Sequence, residues 1–231
     1  MFNYFNEMVN KYPFETDLIE FKKIDNFILK YFGAEKEIKL ADIGCGMCLF
    51  ADHIKSHFKN IEINCADINS ELVEAALKKG YNARSADALE LPYKDGEFDI
   101  VHCSHVIEHF GYPGVIKVIE ELFRVAKKEA VIILRSPLVA NHRFYDDIDH
   151  VRVYPPAAIL NYITNPQQQK VGQIKACELE RWYTRIAFEI NYYKYDNFLT
   201  RKLNKLFKIL WMVIGFPYAA PNNYGLILKK I

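Results

Sequence analysis

Asp42, Gly44 and Gly46 are the residues best spaced to hold a charged ligand. They lie in Lys39-Leu-Ala-Asp42-Ile-Gly44-Cys45-Gly46-Met-Cys48, which reads as a short buried strand ending in an acid and turning through two glycines. A helix follows at once from Leu49. Glycine accepts positive φ and lets a ligand press against the backbone, so a Cβ branch at Gly44 is expected to collide with whatever binds there. The helix start adds unpaired N–H groups and the positive end of a dipole. Together they make a nucleotide pocket at the carboxyl end of a strand. A dinucleotide fingerprint needs a third glycine, in G-x-G-x-x-G, but Met47, Cys48 and Leu49 follow Gly46. Asp42 would repel a pyrophosphate and suits a ligand carrying an ammonium and a sulfonium. A nicotinamide dehydrogenase is therefore disfavoured.

Two further constellations can do chemistry. In Cys103-Ser104-His105-Val-Ile-Glu108-His109 the spacing i, i+3, i+4 puts His105, Glu108 and His109 on one face of a helix. H-x-x-E-H is also an inverted zinc-protease signature, but nothing else in the chain points to a protease. A divalent metal site is a second reading. In Asp146-Asp147-Ile-Asp149-His150-Val-Arg152-Val-Tyr154, His150 is a candidate general base. Asp147 or Asp149 is placed to orient its imidazole, and Arg152 is a fixed cation for a carboxylate or phosphate. The competing reading of this stretch is a solvated loop pinned by an Arg–Asp pair.

The elements that must position these residues alternate. Strands are expected at Ile61–Asp67, at 82–88, at Glu97–Ser104 and at Glu129–Pro137. A helix is expected over 70–80, with Ser70 as its cap and Gly80 as its stop. Strand–helix alternation from about residue 38 to 137 is the pattern of βαβ units on a parallel sheet. Asp67 closes its strand about 20 residues beyond the glycines, where an acid binds ribose hydroxyls. Asp87 ends the next strand. Asp is a favoured cap and turn residue, but three acids at three successive strand ends exceed what capping alone explains.

This ordered series resembles the class I S-adenosylmethionine (SAM)-dependent methyltransferases, with Cys48 in place of the third glycine of D-x-G-x-G-x-G. The resemblance covers roughly residues 38–137, and is nearest to the small methyltransferases of quinone biosynthesis and of surface polysaccharides. It implies an α/β, Rossmann-like, doubly wound, mostly parallel seven-stranded sheet with an antiparallel last strand, here read at Asn223–Lys230. It implies SAM as cofactor, held by Asp42, Gly44, Cys45, Gly46, Asp67, Ile68, Asp87, Ala88, Ser104 and His105, with Asp87 and the Ala88 N–H on the adenine. Some members carry E-x-x-E-H and a magnesium-type ion where this chain has His105, Glu108 and His109. His105 would soften that set toward zinc or manganese. The favoured reading is metal-free, with His105 lining the methionine end of the cofactor and His150, His105 and Arg152 as catalytic candidates. The implied activity is methyl transfer to a small molecule or glycan, most simply to oxygen. The alternatives are a metal-assisted O-methyltransferase and a SAM-binding regulatory or assembly subunit without transfer activity. A DNA partner is disfavoured, because the motif that grips a flipped base is replaced by His102-Cys-Ser-His105.

Composition sets the frame. The 231 residues are 51% hydrophobic and 26% charged with a formal net charge of +1, so no global field draws in nucleic acid. No signal peptide or bilayer-length apolar run is read, and a cytoplasmic protein is expected. Of the five cysteines, Cys65 and Cys103 read as buried thiols. Cys45-x-x-Cys48 mimics a redox or zinc motif. Without a second pair in the sequence it is read as part of the cofactor loop, in a reducing compartment. Residues 1–35, with Ile19, Phe21, Ile24, Phe27, Ile28 and Tyr31 at helical spacing, are expected to form a helical cap on the sheet edge, with packing into the core as the equal alternative. The domain proper is 36–231, with acceptor-side insertions at 138–220. Within them, Leu199–Ile214 reads as an amphipathic helix with Arg201, Lys202, Lys205 and Lys208 on its polar face. It suits the core, or a membrane surface or lipid-linked substrate.

Overall fold

A computed structural model describes residues 15–138, 144–165, 174–184, 197–214 and 221–231. In chain order the elements are α1 (Glu15–Phe32), β1 (Ile38–Ile43), α2 (Leu49–His57), β2 (Ile61–Asp67), α3 (Ser70–Lys78), β3 (Asn82–Ser85) and β4 (Phe98–Ser104). After a 3₁₀ turn at Ile107–His109 come α4 (Gly114–Val125), β5 (Ala126–Pro137), a second 3₁₀ turn at Phe144–Asp146, α5 (Pro156–Thr164), β6 (Ala176–Thr184), α6 (Phe198–Ile214) and β7 (Asn223–Lys230).

The seven strands form one sheet in the order β3-β2-β1-β4-β5-β7-β6. β7 runs antiparallel to both of its neighbours, while β1 to β5 pair in parallel. The fold is the expected doubly wound α/β sheet with an antiparallel last strand. β1, β4 and β5 are buried along almost their whole length, which is why they read as near-continuous apolar runs. The winding reverses between β1 and β4, and a doubly wound sheet offers its ligand crevice at the carboxyl ends of the strands beside that switch.

One core cluster joins α4 and α5 to the sheet through Val115, Ile119, Leu122, Ile159 and Ile163. The other brings α1, α2 and α3 onto the opposite face. Helix α1 therefore contributes to the core, one of the two expected placements. Phe21, Ile24, Phe27 and Ile28 are buried against Phe50, Ile54, Ile133 and Ile227. Its Glu20, fully buried, receives Arg135 Nε at 2.5 Å and Asn223 Nδ2 at 3.0 Å, and meets the Thr184 hydroxyl. A buried carboxylate is tolerated when its charge and lone pairs are met in this way, and here it fastens α1 to β5, β6 and β7.

Local details differ from the sequence reading. α3 is capped by Asn69, whose side chain accepts the Glu71 N–H at 3.0 Å, and not by Ser70. β5 starts at Ala126, earlier than Glu129. The register with β4 slips between Phe98 and Ile100, and Glu129 takes φ 66°. β6 is an additional strand whose Trp182 lies over Gly225 of β7, where a Cβ would meet the indole at 2.0 Å. On α6, Phe198, Leu199, Leu206, Ile209, Val213 and Ile214 are exposed among the described residues. No helix among the described residues is long and apolar enough to cross a membrane.

Candidate cofactor and acceptor site

The loop after β1 is bound to β2 before any ligand arrives. The Gly44 and Cys45 N–H groups both donate to Ala66 O, at 2.8 and 3.1 Å. Gly46 N–H donates to Asp67 Oδ2 at 2.9 Å, and Asn69 N–H to Asp67 Oδ1 at 2.9 Å. Each Asp67 oxygen thus keeps lone-pair capacity for a hydroxyl. Burial pushes the Asp67 carboxyl up, and the two backbone donors only partly offset it.

Gly44 has φ +71°, and a Cβ there would meet Val106 Cγ2 at 2.3 Å. The glycine is required by the β4 loop packed over it, which corrects the expected collision with a ligand. At Gly46 (φ +52°) a Cβ would meet nothing within 4 Å, so the loop presents open space on its outer side. Gly44→Val is expected to reduce SAM affinity below detection and to lower the melting temperature. The strain is about 1–2 kcal/mol for the left-handed backbone plus about 1–3 kcal/mol for overlap with Val106. Adding Val106→Ala should restore part of the melting temperature. Calorimetric titration and thermal unfolding check this, and native SAM binding by Gly44→Val would show that the loop is not the pocket.

Asp42 lies under the loop, 2% exposed, with Oδ1 2.7 Å from His102 Nδ1. Burial keeps the His102 imidazole below its usual pKa although Asp42 opposes this. The ring is therefore neutral, donates from Nδ1, and stacks on Phe50 at 3.7 Å. Asp42 Oδ2 is buried without a hydrogen-bond partner among the described residues. Ile68, an apolar side chain 72% exposed, follows Asp67 directly. Asp87 is exposed and accepts the Leu89 N–H at 2.9 Å, and Ala88 beside it is half-buried. Ser104 and His105, both partly exposed, end β4. The two free acceptor positions on Asp67 and the open face of Gly46 fit a ligand with a ribose diol. A cavity lined by Lys39, Arg84, Pro92 and Glu97 contains none of these residues.

The acceptor side differs from the helical expectation. Ile107–His109 is a 3₁₀ turn and His105 precedes it at φ 55°, so the spacing i, i+3, i+4 does not gather the three residues. His105 Nδ1 reaches Glu108 Oε1 at 3.2 Å. Burial pushes the Glu108 carboxyl up, but the bond to His105 and the nearby imidazoles outweigh it and the net shift is downward. His109 turns instead to His150, with ring centroids 4.9 Å apart. Glu108, His109 and His150 each offer a ligand atom, and these lie within 4.8 Å of one another.

The 144–152 segment is held by Glu108 O, which accepts the Val151 and Arg152 N–H groups at 2.9 and 3.1 Å. His150 Nδ1 lies 2.7 Å from Phe144 O. A carbonyl only accepts, so Nδ1 carries the proton, and the lone pair of the neutral ring is on Nε2. Neither expected aspartate orients the ring. Asp147 Oδ2 stands 3.9 Å from Nε2, too far for a hydrogen bond, and Asp149 gives its backbone carbonyl to His109 Nδ1 at 3.2 Å. The exposed Arg152 guanidinium lies 5.7 Å over the Tyr154 ring.

Residues 41–134 match the family model described as a methyltransferase domain. An uncharacterized protein of Methanocaldococcus jannaschii is 31% identical over 148 residues, 62% of this chain and 60% of that protein. Ajmaline N-methyltransferase of Rauvolfia serpentina is 33% identical over 112 residues, 44% of this chain and 37% of that enzyme. The chain thus spans less than two thirds of the length of these relatives. A SAM-dependent methyltransferase from Archaeoglobus fulgidus superposes with a TM-score of 0.57 at 21% identity, covering 91% of this chain and 94% of that one, a likeness of fold. The match begins in β1 and ends in β5, so the part of this chain that is similar to a methyltransferase domain contains the glycine loop, Asp67 and Asp87.

Proposed function

We propose that this protein moves a methyl group from SAM to an oxygen of a small molecule or glycan, with His150 removing the acceptor's proton. The observation that supports this reading is the His150 imidazole, pinned through Nδ1–H to Phe144 O with its Nε2 lone pair left over. The cofactor supplies a methyl group on a sulfonium leaving group. The chain's own share is positioning and proton removal. Asp67 and the glycine loop hold the nucleoside, and the Asp42 carboxylate favours the ammonium of the methionine end. His150 Nε2 takes the hydroxyl proton as the oxygen attacks, and Arg152 clamps an anionic group on the acceptor. A small-molecule acceptor is in keeping with the similarity to ajmaline N-methyltransferase. The exposed apolar residues and the Arg201, Lys202 and Lys205 side chains of α6 suit a lipid-linked form of a glycan acceptor, so such acceptors belong in the substrate screen, with S-adenosylhomocysteine formation as readout.

The carbonyl-anchored rings of His109 and His150 beside Glu108 favour a second reading, since metal-binding histidines are commonly oriented through their other ring N–H. Two imidazoles and a carboxylate would take a zinc- or manganese-type ion. On the base reading, EDTA leaves turnover unchanged. One ion per chain that disappears in His109→Ala, together with loss of turnover on chelation, would establish the metal reading instead.

A further inference from the structure

We propose that Cys45, Cys48 and Cys65 form a three-thiolate site for a soft divalent cation of the zinc and cadmium class. In the sequence, Cys45-x-x-Cys48 stands alone and reads as an accident of the cofactor loop. The fold supplies the missing ligand. In the parallel register Asp42 pairs with Cys65 and Ile43 with Ala66, so Cys65 sits on the neighbouring strand one step below the loop. The bonds from Gly44 and Cys45 N–H to Ala66 O fold the loop back onto β2. Cys48, at φ 64° in front of α2, donates its N–H to Cys45 O at 2.8 Å and closes the turn.

All three side chains are buried, at 7, 1 and 0% exposure, and all three thiols are free. Their Sγ atoms lie within 4.8 Å of one another. A Zn–S bond of about 2.3 Å places three trigonal sulfurs about 4 Å apart, so a small inward closure completes the set. Thiolates select soft cations over magnesium or calcium. The cluster is also prepared for capture. The N-terminus of α2, which starts at Leu49, favours a thiolate at Cys48. Each thiol still protonated loses its proton to solvent as its metal–sulfur bond forms. A bound cation would clamp the Gly44–Cys48 loop to the strand that carries Asp67. The site does not depend on the acceptor chemistry proposed above.

The test is titration of the reduced intact chain with Cd²⁺, read by thiolate-to-cadmium absorption in the ultraviolet and by thermal unfolding. One Cd²⁺ per chain is expected, with absorption for three thiolates and a rise in melting temperature. Cys65→Ser, and independently Cys48→Ala with its fold checked by circular dichroism, should weaken uptake at least tenfold and abolish the rise. Cys177→Ser, an exposed thiol outside the site, should leave both unchanged. The proposal is overturned if the reduced protein takes up no stoichiometric Cd²⁺. It is equally overturned if both cysteine variants retain native uptake, or if the thiols only form a Cys45–Cys48 disulfide on oxidation and bind no cation when reduced.

Discussion

Asp67→Ala is expected to weaken SAM binding by about 100-fold or more. A carboxylate accepting two hydroxyls gives up two charge-assisted hydrogen bonds at about 1.5–3 kcal/mol each, and each 1.4 kcal/mol is about tenfold in affinity. The loss has a second source in this chain. Asp67 also receives the Gly46 and Asn69 N–H groups, so alanine removes one of the ties between the loop and β2 as well as the ligand's partner. Asp67→Asn separates the two contributions. It keeps one oxygen for a backbone donor and places an NH₂ where the other acceptor stood, and should fall between the native protein and alanine. Calorimetry reads affinity and thermal unfolding reads the loop. Native SAM affinity in Asp67→Ala would remove Asp67 from the cofactor site.

His150→Ala is expected to lower turnover on the true acceptor by about 10²–10⁴-fold, the usual share of general base catalysis. SAM affinity should be almost unchanged, because His150 bonds to Phe144 O and packs on Phe144 and His109, not on the glycine loop. Single-turnover rates at saturating SAM separate the two. Arg152→Ala should act mainly on acceptor KM, since an exposed guanidinium that binds an anion contributes equally in ground and transition states. Native turnover in His150→Ala would move the base to another group, with His105 and His109 the nearest imidazoles, and would leave the cofactor assignment standing.

The half of the chain that builds the sheet was legible because its signals are local. Buried parallel strands write apolar runs, positive φ writes glycine, and acids at strand ends stand out against them. The missing details were those set by tertiary contact. β6, an outer strand in which Trp182 alone is buried, has no continuous apolar run. Its one deep anchor, Trp182, is explained only by Gly225 across the sheet. Helical spacing misjudged His105, Glu108 and His109 because a 3₁₀ turn intervenes. The partner of His109 lies 41 positions on, at His150. The orientation of His150 comes from a backbone carbonyl, which leaves no mark in residue identity, so two plausible aspartates drew attention that belonged to Phe144 O. That Cys65 neighbours Cys45 and Cys48 is not legible for a related reason, since register across a parallel pair is not written in either strand alone.

The most direct measurement of the central claim is calorimetric titration of the intact chain with SAM, S-adenosylhomocysteine and NAD in turn. One molecule of SAM or of S-adenosylhomocysteine should bind per chain, and NAD should give no heat. The glycine loop lacks the third glycine of a pyrophosphate cradle and carries the buried Asp42 beneath it. Stoichiometric NAD binding with no heat from SAM would contradict the account.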